Sequence, residues 1–550
     1  MNGIRNLLLV LMFGLAAVTL SSASATDVYI TQSGSSQGAC SGAAHPPSWF
    51  NSGANWGSSS AQIGPGTTVH LCGTITSELQ FQGGGASGNV VELLFENGAS
   101  IQITPGCDSN GCVNLGGNSY ILIDGGAGQA CGWNTANNNS EGACNGKIEN
   151  MLYGSSNGQC PGGTCTKQAD SSVGNLIYSA GGSNIEVRNL QIGPSYVHTS
   201  TGAGSNDSGG TQGIYLNNTN VVNIHDSKCR DAVWCLVLGW GGNATYSSWS
   251  VTNNELFNDS HMTAYAGSGS ATLNGLTMSG NYCHDMSNWD TSGDDNHANC
   301  IHLYGASGSN TYTNVTINNN IMGGNPGANM TAQIFIEAQN SNASNVAIFN
   351  NLLYAAGGLQ GGERLMLLND CTSATCNVVN NTFSGNSTSN GTCEYIGGNG
   401  NTKTQIVKNG NNAVTNCYTL FDSEISSYQT LDYNGYGTNS GETWRWNGTF
   451  YAPPLSGGGW MPASGEGSHS LYASNGLSLD SSYKPGSGST LISTGVNLTS
   501  LCSGKLAALC SDLAGNPRPS SGSWTIGAYE SNSSVGAKPG PPSGLAAVVQ

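Results

Sequence analysis

A short pattern that recurs along the middle of the chain constrains its fold more than any other feature of the sequence. Each copy is an alternating apolar strand, then a polar turn that usually carries Asn, then another apolar residue. The starts of successive copies are separated by 37, 27, 27, 39, 31 and 30 residues. The copies are IEVRNLQI from Ile185, VNIHDSKC from Val222, WSVTNNEL from Trp249, LTMSGNYC from Leu276, VTINNNIM from Val315, VAIFNNLL from Val346 and CNVVNNTF from Cys376. Self-similarity on this scale is typical of repeat architectures.

The alternation within each copy indicates a β-strand with one buried face. A single coil of chain cannot bury that face, whereas the next coil stacked above it buries the face and pairs the two backbones. Because the spacing varies, insertions are expected at the corners and not within the strands. One Asn per copy falls in a column that is predicted to form a hydrogen-bonded ladder. The column contains Asn254, Asn281, Asn320, Asn351 and Asn381.

A second type of apolar strand lies between these copies and is assigned to the same coil. Its copies are GIYL from Gly213, CLVL from Cys235, TAYA from Thr263, CIHLY from Cys300, IFIE from Ile334 and RLMLL from Arg364. A tandem array of β-sandwiches is the main alternative, but sandwiches have hairpin turns at a regular 8–12-residue spacing. A propeller is less favoured because its blade motifs are absent. The predicted fold class is therefore all-β, a solenoid of parallel coils.

The composition limits the partners of this chain. Charged residues make up 8% of the sequence, whereas typical globular proteins contain about 25%. The formal charge of −17 arises with only 14 Lys and Arg in 550 residues. Since each phosphate contact needs a cation, nucleic acid and anionic membranes are poor partners. Tight polar turns joining many short strands explain the abundance of Gly, Asn and Ser.

The 18 cysteines are expected to form disulfides between neighbours in the sequence, which favours an oxidising compartment. No C-x-x-C pair occurs, so a zinc site is disfavoured. The predicted pairs are Cys40 with Cys72, Cys107 with Cys112, Cys131 with Cys144, Cys160 with Cys165, Cys229 with Cys235, Cys283 with Cys300, Cys371 with Cys376, Cys393 with Cys417, and Cys502 with Cys510.

The N-terminal segment reads as a signal peptide. Arg5 precedes an apolar run, and Ala23-Ser24-Ala25 forms a cleavage signal. Residues 1–25 are therefore predicted to be removed on export, which leaves no membrane span. Residues 26–530 are predicted to form the solenoid, and residues 531–550 a Ser/Gly/Pro-rich tail. We expect a secreted monomer.

Beyond the repeat, both ends of the solenoid carry a resemblance to a known group. The segments are IGPGTTVHLCG from Ile63, SGNVVELLFENGA from Ser87, PGSGSTLISTGV from Pro485 and DLAGNPRPSSGSWTIGAYE from Asp512. With the repeats from about Val187 to Phe383, they resemble the secreted right-handed parallel β-helix proteins of the pectate-lyase-like superfamily. That resemblance implies a right-handed β-helix and an extracellular polysaccharide or cell-surface glycan as partner. Lyases, hydrolases, epimerases and adhesins share this fold, so it does not choose among them.

The richest polar segment, HDMSNWDTSGDDNHANCIHLYG from His284, is the candidate site. A glycoside hydrolase would use two carboxylates among Asp294, Asp295 and Glu337. A lyase would bind Ca²⁺ through Asp290, Asp294 and Asp295. The resemblance implies a Lys or Arg base, which the neighbouring strand IFIEA lacks, so His302 is the candidate base. A non-catalytic adhesin or matrix protein is the third alternative, in which these aspartates cap turns or bind structural calcium.

A row of side chains facing outward is the candidate substrate-binding surface. In CIHLY the alternation turns Ile301 and Leu303 inward and His302 outward. Aromatic faces stack on the apolar faces of sugar rings, although these side chains are equally compatible with packing under a covering loop. The positions equivalent to His302 are Tyr215, Val237, Tyr265, Phe335 and Met366, and the predicted substrate-binding residues are Tyr215, Tyr265, Trp289, Tyr304 and Phe335.

Overall fold

The computed structural model describes residues 27–531 with interruptions. Those interruptions are 104–106, 109, 127–129, 136–137, 151–173, 196–211, 233, 260, 287–297, 328–329, 338–340, 370, 372–375, 388–389, 398–406 and 426–427. The described strands form three long sheets of 14, 13 and 13 strands. Each coil of chain adds one strand to each sheet in turn, and we name the sheets A, B and C in that order. No helix among the described residues is long and apolar enough to cross a membrane.

The strands of sheet A begin each coil. They are Asp27–Ile30, Ala44–His45, Thr68–Leu71, Val91–Phe95, Ile121–Asp124, Ser183–Arg188, Asn220–His225, Thr245–Thr252, Thr272–Ser279, Asn310–Asn318, Ser341–Phe349, Cys376–Val379, Val407–Gly410 and Thr430–Asp432. Sheet B follows after a sharp turn. Its strands are Thr74–Ile75, Ser100–Ile103, Gly146–Asn150, Leu190–Ile192, Lys228–Arg230, Glu255–Phe257, Tyr282–His284, Ile321–Gly323, Leu352–Tyr354, Thr382–Ser384, Ala413–Thr415, Gly435–Tyr436 and Leu471–Tyr472.

Sheet C contains the second type of strand predicted from the sequence. Its strands are Leu79–Gln80, Val113–Asn114, Ile177–Ser179, Gln212–Asn217, Trp234–Trp240, His261–Gly267, Asn299–Gly305, Ala332–Ile336, Arg364–Leu368, Thr392–Ile396, Thr419–Ser423, Trp444–Trp446 and Thr449–Tyr451. Short elements complete the described fold. They are the hairpin Trp133–Asn134 with Asn139–Ser140, the α-helices Pro47–Phe50 and Trp460–Ser464, and the 3₁₀ helices Gly53–Asn55, Thr499–Leu501 and Gly504–Cys510.

Strand pairing within the three sheets is parallel, apart from the terminal pair of sheet C. Parallel neighbours are one coil apart in the chain, so like residues stand above like in the core. One interior column of sheet A is at most 1% exposed throughout. It contains Ile224, Val251, Met278, Ile317, Ile348 and Val378. The predicted fold class, an all-β parallel β-helix, is confirmed.

The predicted asparagine ladder is confirmed and is longer than the sequence indicated. Each buried amide donates through Nδ2 to Oδ1 of the next, at 3.0–3.1 Å, from Asn254 to Asn412. The same Oδ1 accepts the backbone N–H of the Asn in the preceding coil, as Asn320 does from Asn281 at 3.0 Å. The residue before the ladder position adopts positive φ, as at Asn319 with φ 54°. Apart from Gly, Asn is the residue that most readily adopts this left-handed backbone conformation. This preference explains the Asn-Asn pairs of the repeat.

Eight of the nine predicted disulfides are present among the described residues, and no described cysteine is free. The ninth, Cys160 with Cys165, lies outside the described residues. Two of the bridges, Cys229–Cys235 and Cys283–Cys300, join the sheet B and sheet C strands of one coil, and Cys393–Cys417 joins a sheet C strand to the corner between sheets B and C of the next coil. They therefore staple the corner between sheets B and C.

The coils end at Tyr472, and the described chain after it folds back along the outside of the β-helix. Leu509 and Trp524 pack on Phe349 from sheet A. Arg518, which is 5% exposed, donates to Asn350 Oδ1 at 3.0 Å and pairs with Glu530 at 3.3 Å. The resemblance predicted a closing segment from Pro485 onward. It did not predict that this segment packs against earlier coils.

Candidate functional site

The outward face of sheet C carries one continuous row of side chains, with one member from each coil. Direct pairing places neighbours in this row one strand spacing apart, about 4.8 Å. We name it the outer row, and it consists of Tyr178, Tyr215, Val237, Ala264, His302, Phe335, Leu367, Tyr395, Asp422 and Arg445. Aromatic and aliphatic members occupy the middle of the row, and charged members occupy its C-terminal end.

Two positions of the sequence-based row were wrong. Tyr265 pairs with Leu303 and is fully buried in the core, so it is not a substrate-binding residue on this face. Met366 pairs with Ile334 and is also buried. Ala264 and Leu367 take their places. In short apolar strands such as TAYA nothing fixes the register, and a slip of one residue moves a side chain to the other face.

His302 forms the centre of an aromatic stack. Its ring lies 4.5 Å from the Tyr304 ring and 4.7 Å from the Phe335 ring, measured between centroids. The Nε2 atom of His302 lies 3.2 Å from Oε2 of Glu337. His261 of the preceding coil approaches to 5.9 Å. The structure therefore brings together four predicted site residues, and the carboxylate is positioned to orient the imidazole.

Accessibility differs among the members of this stack. His302 and Phe335 are nearly buried, as the packing interpretation of the outer row expects. Tyr304 and Tyr215 are half-buried and can contact a ligand. Burial raises the pKa of the Tyr304 phenol to about 12, with the nearby Tyr215 and Glu337 adding to the effect. The phenol is therefore neutral and available as a hydrogen-bond donor at ordinary pH.

Four predicted site residues lie outside the described residues. They are Trp289, Asp290, Asp294 and Asp295, in the segment that joins Tyr282–His284 of sheet B to Asn299–Gly305 of sheet C. Their roles in catalysis, substrate binding and calcium binding stay predictions. Among the described residues, Cys229, Cys235 and Asp259 have the spacing of metal ligands. The two cysteines form a disulfide and so supply no thiolate.

A second polar cluster lies at the C-terminal end of the outer row and was missed by the sequence analysis. Asp422 Oδ2 lies 3.4 Å from Arg445 Nη1, and Asp422 is 4% exposed. Burial raises the pKa of Asp422 to about 6, although Arg445 lowers it. The guanidinium of Arg364 lies 4.8 Å above the Tyr395 ring. We name these four residues, with Glu424, the acid cluster.

Glu424 occupies the position two residues after Asp422. Its backbone N–H donates to Ile396 O at 2.9 Å, which continues the strand pairing one residue beyond Thr419–Ser423. Burial raises the pKa of Tyr395, and a hydrogen bond and charge interaction with Glu424 raise it further. Because alternate residues of a strand share a face, Asp422 and Glu424 point to the same side of sheet C.

A usable signal for the acid cluster was present in the sequence. In the segment TLFDSE from Thr419, Asp422 and Glu424 occupy alternate positions, and two such carboxylates are unusual in a chain with 8% charged residues. The predicted repeat ended at Phe383, although VKNGNNAV from Val407 carries the same Asn turn. The acid cluster lies four coils from His302, which is about 19 Å at the usual strand spacing.

These features define the class of protein as a disulfide-stapled parallel β-helix with an aromatic and acidic row along one sheet. No known protein family matches the sequence, and no curated protein matches it. Among solved structures, the chain is similar to the Dettilon tailspike protein at 14% identity and a TM-score of 0.27. That match covers 69% of this chain and 62% of the tailspike chain. The fold assignment here rests on the strand pairing.

Proposed function

We propose that the protein binds a polysaccharide along the outer row and hydrolyses glycosidic bonds at the acid cluster. The observation that carries this proposal is the pairing of a buried Asp422, whose pKa is raised to about 6, with Glu424 on the same face of one strand. Glycoside hydrolases use two carboxyl groups of different protonation state on either side of the bond that breaks.

The roles follow from the two environments. Asp422, protonated below about pH 6, would donate its proton to the glycosidic oxygen as the bond to the anomeric carbon breaks. Glu424 would take a proton from the water that attacks that carbon. Positions two residues apart on a strand are about 6.7 Å apart. Inverting enzymes hold their carboxyl groups about 6.5–9.5 Å apart, which Asp and Glu side chains that leave the strand at this backbone spacing can reach.

The tyrosines on the outward face of sheet C, in the outer row and beside it, would hold the sugar chain. Tyr215, Tyr304 and Tyr395 are half-buried and offer ring faces and hydroxyl groups. Arg364 and Arg445 would bind acidic substituents of the glycan, because guanidinium groups pair with carboxylates. His302 with Glu337 stays a second candidate for proton transfer, together with Asp294 and Asp295.

Passive glycan binding, as in an adhesin or matrix protein, is the second candidate function. The stack of Tyr304, His302 and Phe335 supports it, since ring stacking needs no acid or base. In that case the acid cluster would serve only to hold the C-terminal coils together. Cleavage and binding measured on the same samples separate the two functions.

The test is a panel of neutral and acidic polysaccharides incubated with the wild-type protein, Asp422→Asn, Glu424→Gln and the control Asn342→Ala. We expect new reducing ends with wild type and the control, fastest below pH 6. Each carboxyl variant should lower the rate at least about 100-fold while binding persists. Binding without cleavage by wild type supports the passive function. Unsaturated uronide absorbance would indicate a lyase, and loss of cleavage in EDTA would indicate calcium.

Export is part of the proposal. The eight described disulfides are consistent with folding in an oxidising compartment. We expect the mature protein to begin at Thr26 and to be monomeric. N-terminal sequencing of protein from the culture medium and its mass by light scattering check both expectations.

A further inference from the structure

A second cavity lies on the outward face of sheet B, away from the outer row. It is formed where the hairpin Trp133–Asn134 with Asn139–Ser140 meets residues 481–483 of the C-terminal segment. The cavity has a volume of about 130 Å³. Five aromatic residues line it: Trp133, Tyr282, Tyr354, Tyr483 and Tyr529.

The walls come from distant parts of the chain and are held in place by backbone contacts. Trp133 donates its backbone N–H to Asn253 O at 2.8 Å, although 120 residues separate them. The Trp133 ring lies 4.2 Å from the Tyr282 ring. The Tyr354 ring lies flat over Gly323, where a Cβ atom would come within 2.0 Å of it, and reaches Tyr483 at 4.8 Å. The cavity is thus a built feature of the fold.

The polar groups of the cavity are neutral. Tyr282 and Tyr354 share a hydrogen bond between their hydroxyl oxygens at 3.3 Å, and Ser481, Ser482 and Asn138 also line the cavity. No Asp, Glu, Lys or Arg lines it among the described residues. Burial raises the pKa of Tyr282, and hydrogen bonding to Tyr354 adds to that rise. The Tyr282 phenol is therefore uncharged over the physiological range.

The Trp133 side chain is a rigid wall of the cavity. It is 8% exposed, so most of the ring is packed against the protein. Its indole Nε1–H is buried and has no hydrogen-bond partner in the part of the chain that the structure describes. A buried donor without an acceptor is unfavourable, so a small shift of this wall that lets a ligand hydroxyl accept from it would be favoured.

We propose that this cavity binds one neutral pyranose residue of a glycan and is a carbohydrate site separate from the outer row. Aromatic rings match the apolar faces of a sugar, and the surrounding hydroxyl groups match its polar edge. The lining residues are uncharged, and Lys484, which lies over the Tyr529 ring at 5.2 Å, is not among them, so a neutral sugar is favoured over a uronate or a phosphate. The cavity is smaller than the range of about 300–1,000 Å³ for small-molecule sites, so it accommodates at most one sugar ring.

Saturation-transfer NMR on the full chain tests this site with methyl glycosides of glucose, galactose, mannose, rhamnose and N-acetylglucosamine. We expect transfer to at least one of them, and no transfer to methyl glucuronide at this site. Ser482→Trp fills the cavity from an exposed position, so it should lower transfer to the neutral glycosides, and the transfer that remains comes from the outward face of sheet C. The matched variant Ser520→Trp adds the same side chain at another exposed serine and should leave transfer unchanged.

A second pair of variants keeps the test independent of folding. Tyr483→Ala removes one wall and should weaken binding about 10-fold, whereas Tyr483→Phe keeps the ring and should retain it. Thermal unfolding of each variant confirms that the fold persists. Absence of transfer to any neutral glycoside overturns the proposal, and so does transfer that Ser482→Trp leaves undiminished. Because the cavity lies on sheet B and the acid cluster on sheet C, Ser482→Trp should leave polysaccharide cleavage unchanged. The cleavage assay therefore tests the proposed function, and the transfer experiment tests the cavity.

Discussion

The asparagine ladder and the outer row are both columns with one side chain per coil, yet they differ in nearly every other property. The ladder repeats one residue, is buried, and carries no charge. The outer row changes from Tyr and Val to His, Phe, Asp and Arg over ten coils. Each ladder residue has the next one as its partner, so any other residue would break two contacts. The outer row instead contains different pairs, such as the His302–Phe335 stack and the Asp422–Arg445 ion pair, so no single residue type is required along it.

The largest expected effect is on the ladder. Asn320→Ala removes hydrogen bonds to Met278 O and Asn351 Oδ1 and leaves the buried N–H of Asn281 without its acceptor. We expect the free energy of unfolding to fall by about 3–5 kcal/mol, because buried unsatisfied groups are unfavourable. Urea denaturation measures the change.

The control for that variant is Asn342→Ala, at an exposed position of a sheet A strand. Its free energy of unfolding should stay within about 0.5 kcal/mol of wild type. Equal losses in the two variants would show that the ladder amides contribute no more than surface amides do.

The next effect concerns pH and distinguishes the two columns, because the ladder contains no titratable group. Asp422 has a pKa raised from the ordinary 3.8 to about 6 by burial. A raised pKa means that its neutral form favours the folded state, so this contribution is present below about pH 4 and is lost as pH rises through 6. Compared with Asp422→Asn, wild type should lose about 1–3 kcal/mol between pH 4 and pH 7.

Urea denaturation of both proteins at several pH values gives the measurement. Other groups titrate in the same window, among them the buried Glu394, and the difference between the two proteins removes their contribution. Parallel curves for wild type and Asp422→Asn would contradict the assigned protonation of the acid cluster.

The smallest expected effect is on ligand binding at Tyr304, which lies beside the outer row on the same face of sheet C. Tyr304→Ala removes a half-buried ring that stacks on His302. We expect glycan affinity to fall by about 0.5–1.5 kcal/mol, the usual contribution of an aromatic contact beyond burial. Isothermal titration with an oligosaccharide checks this value. Tyr304→Phe, which keeps the ring, should bind nearly as well as wild type.

The comparison of the asparagine ladder with the outer row also explains which features could be predicted from the sequence. The ladder was predicted correctly from Asn254 to Asn381, because a self-paired column leaves a repeated letter in the sequence. The strand TAYA leaves no such mark, so Tyr265 was placed on the wrong face. The acid cluster lies beyond Phe383, where the predicted repeat ended, and was missed.

Two contacts made by segments outside the three sheets could not be predicted from the sequence, and the reason is different. Trp133 meets Asn253, and Arg518 meets Asn350, across 120 and 168 residues. Neither contact depends on the periodicity of the sequence. Each depends on how a segment outside the three sheets packs against the coils of the β-helix. Only a three-dimensional structure reveals such contacts, and the cavity on sheet B depends on them.

A crystal structure of Asp422→Asn with an oligosaccharide from a polysaccharide that the protein binds is the most direct test of the central claim. The expected result is a chain of sugar rings on the outward face of sheet C, running from Tyr304 to Arg445 with one glycosidic oxygen beside residue 422. Sugar bound only on other surfaces, with that face empty, would contradict the claim.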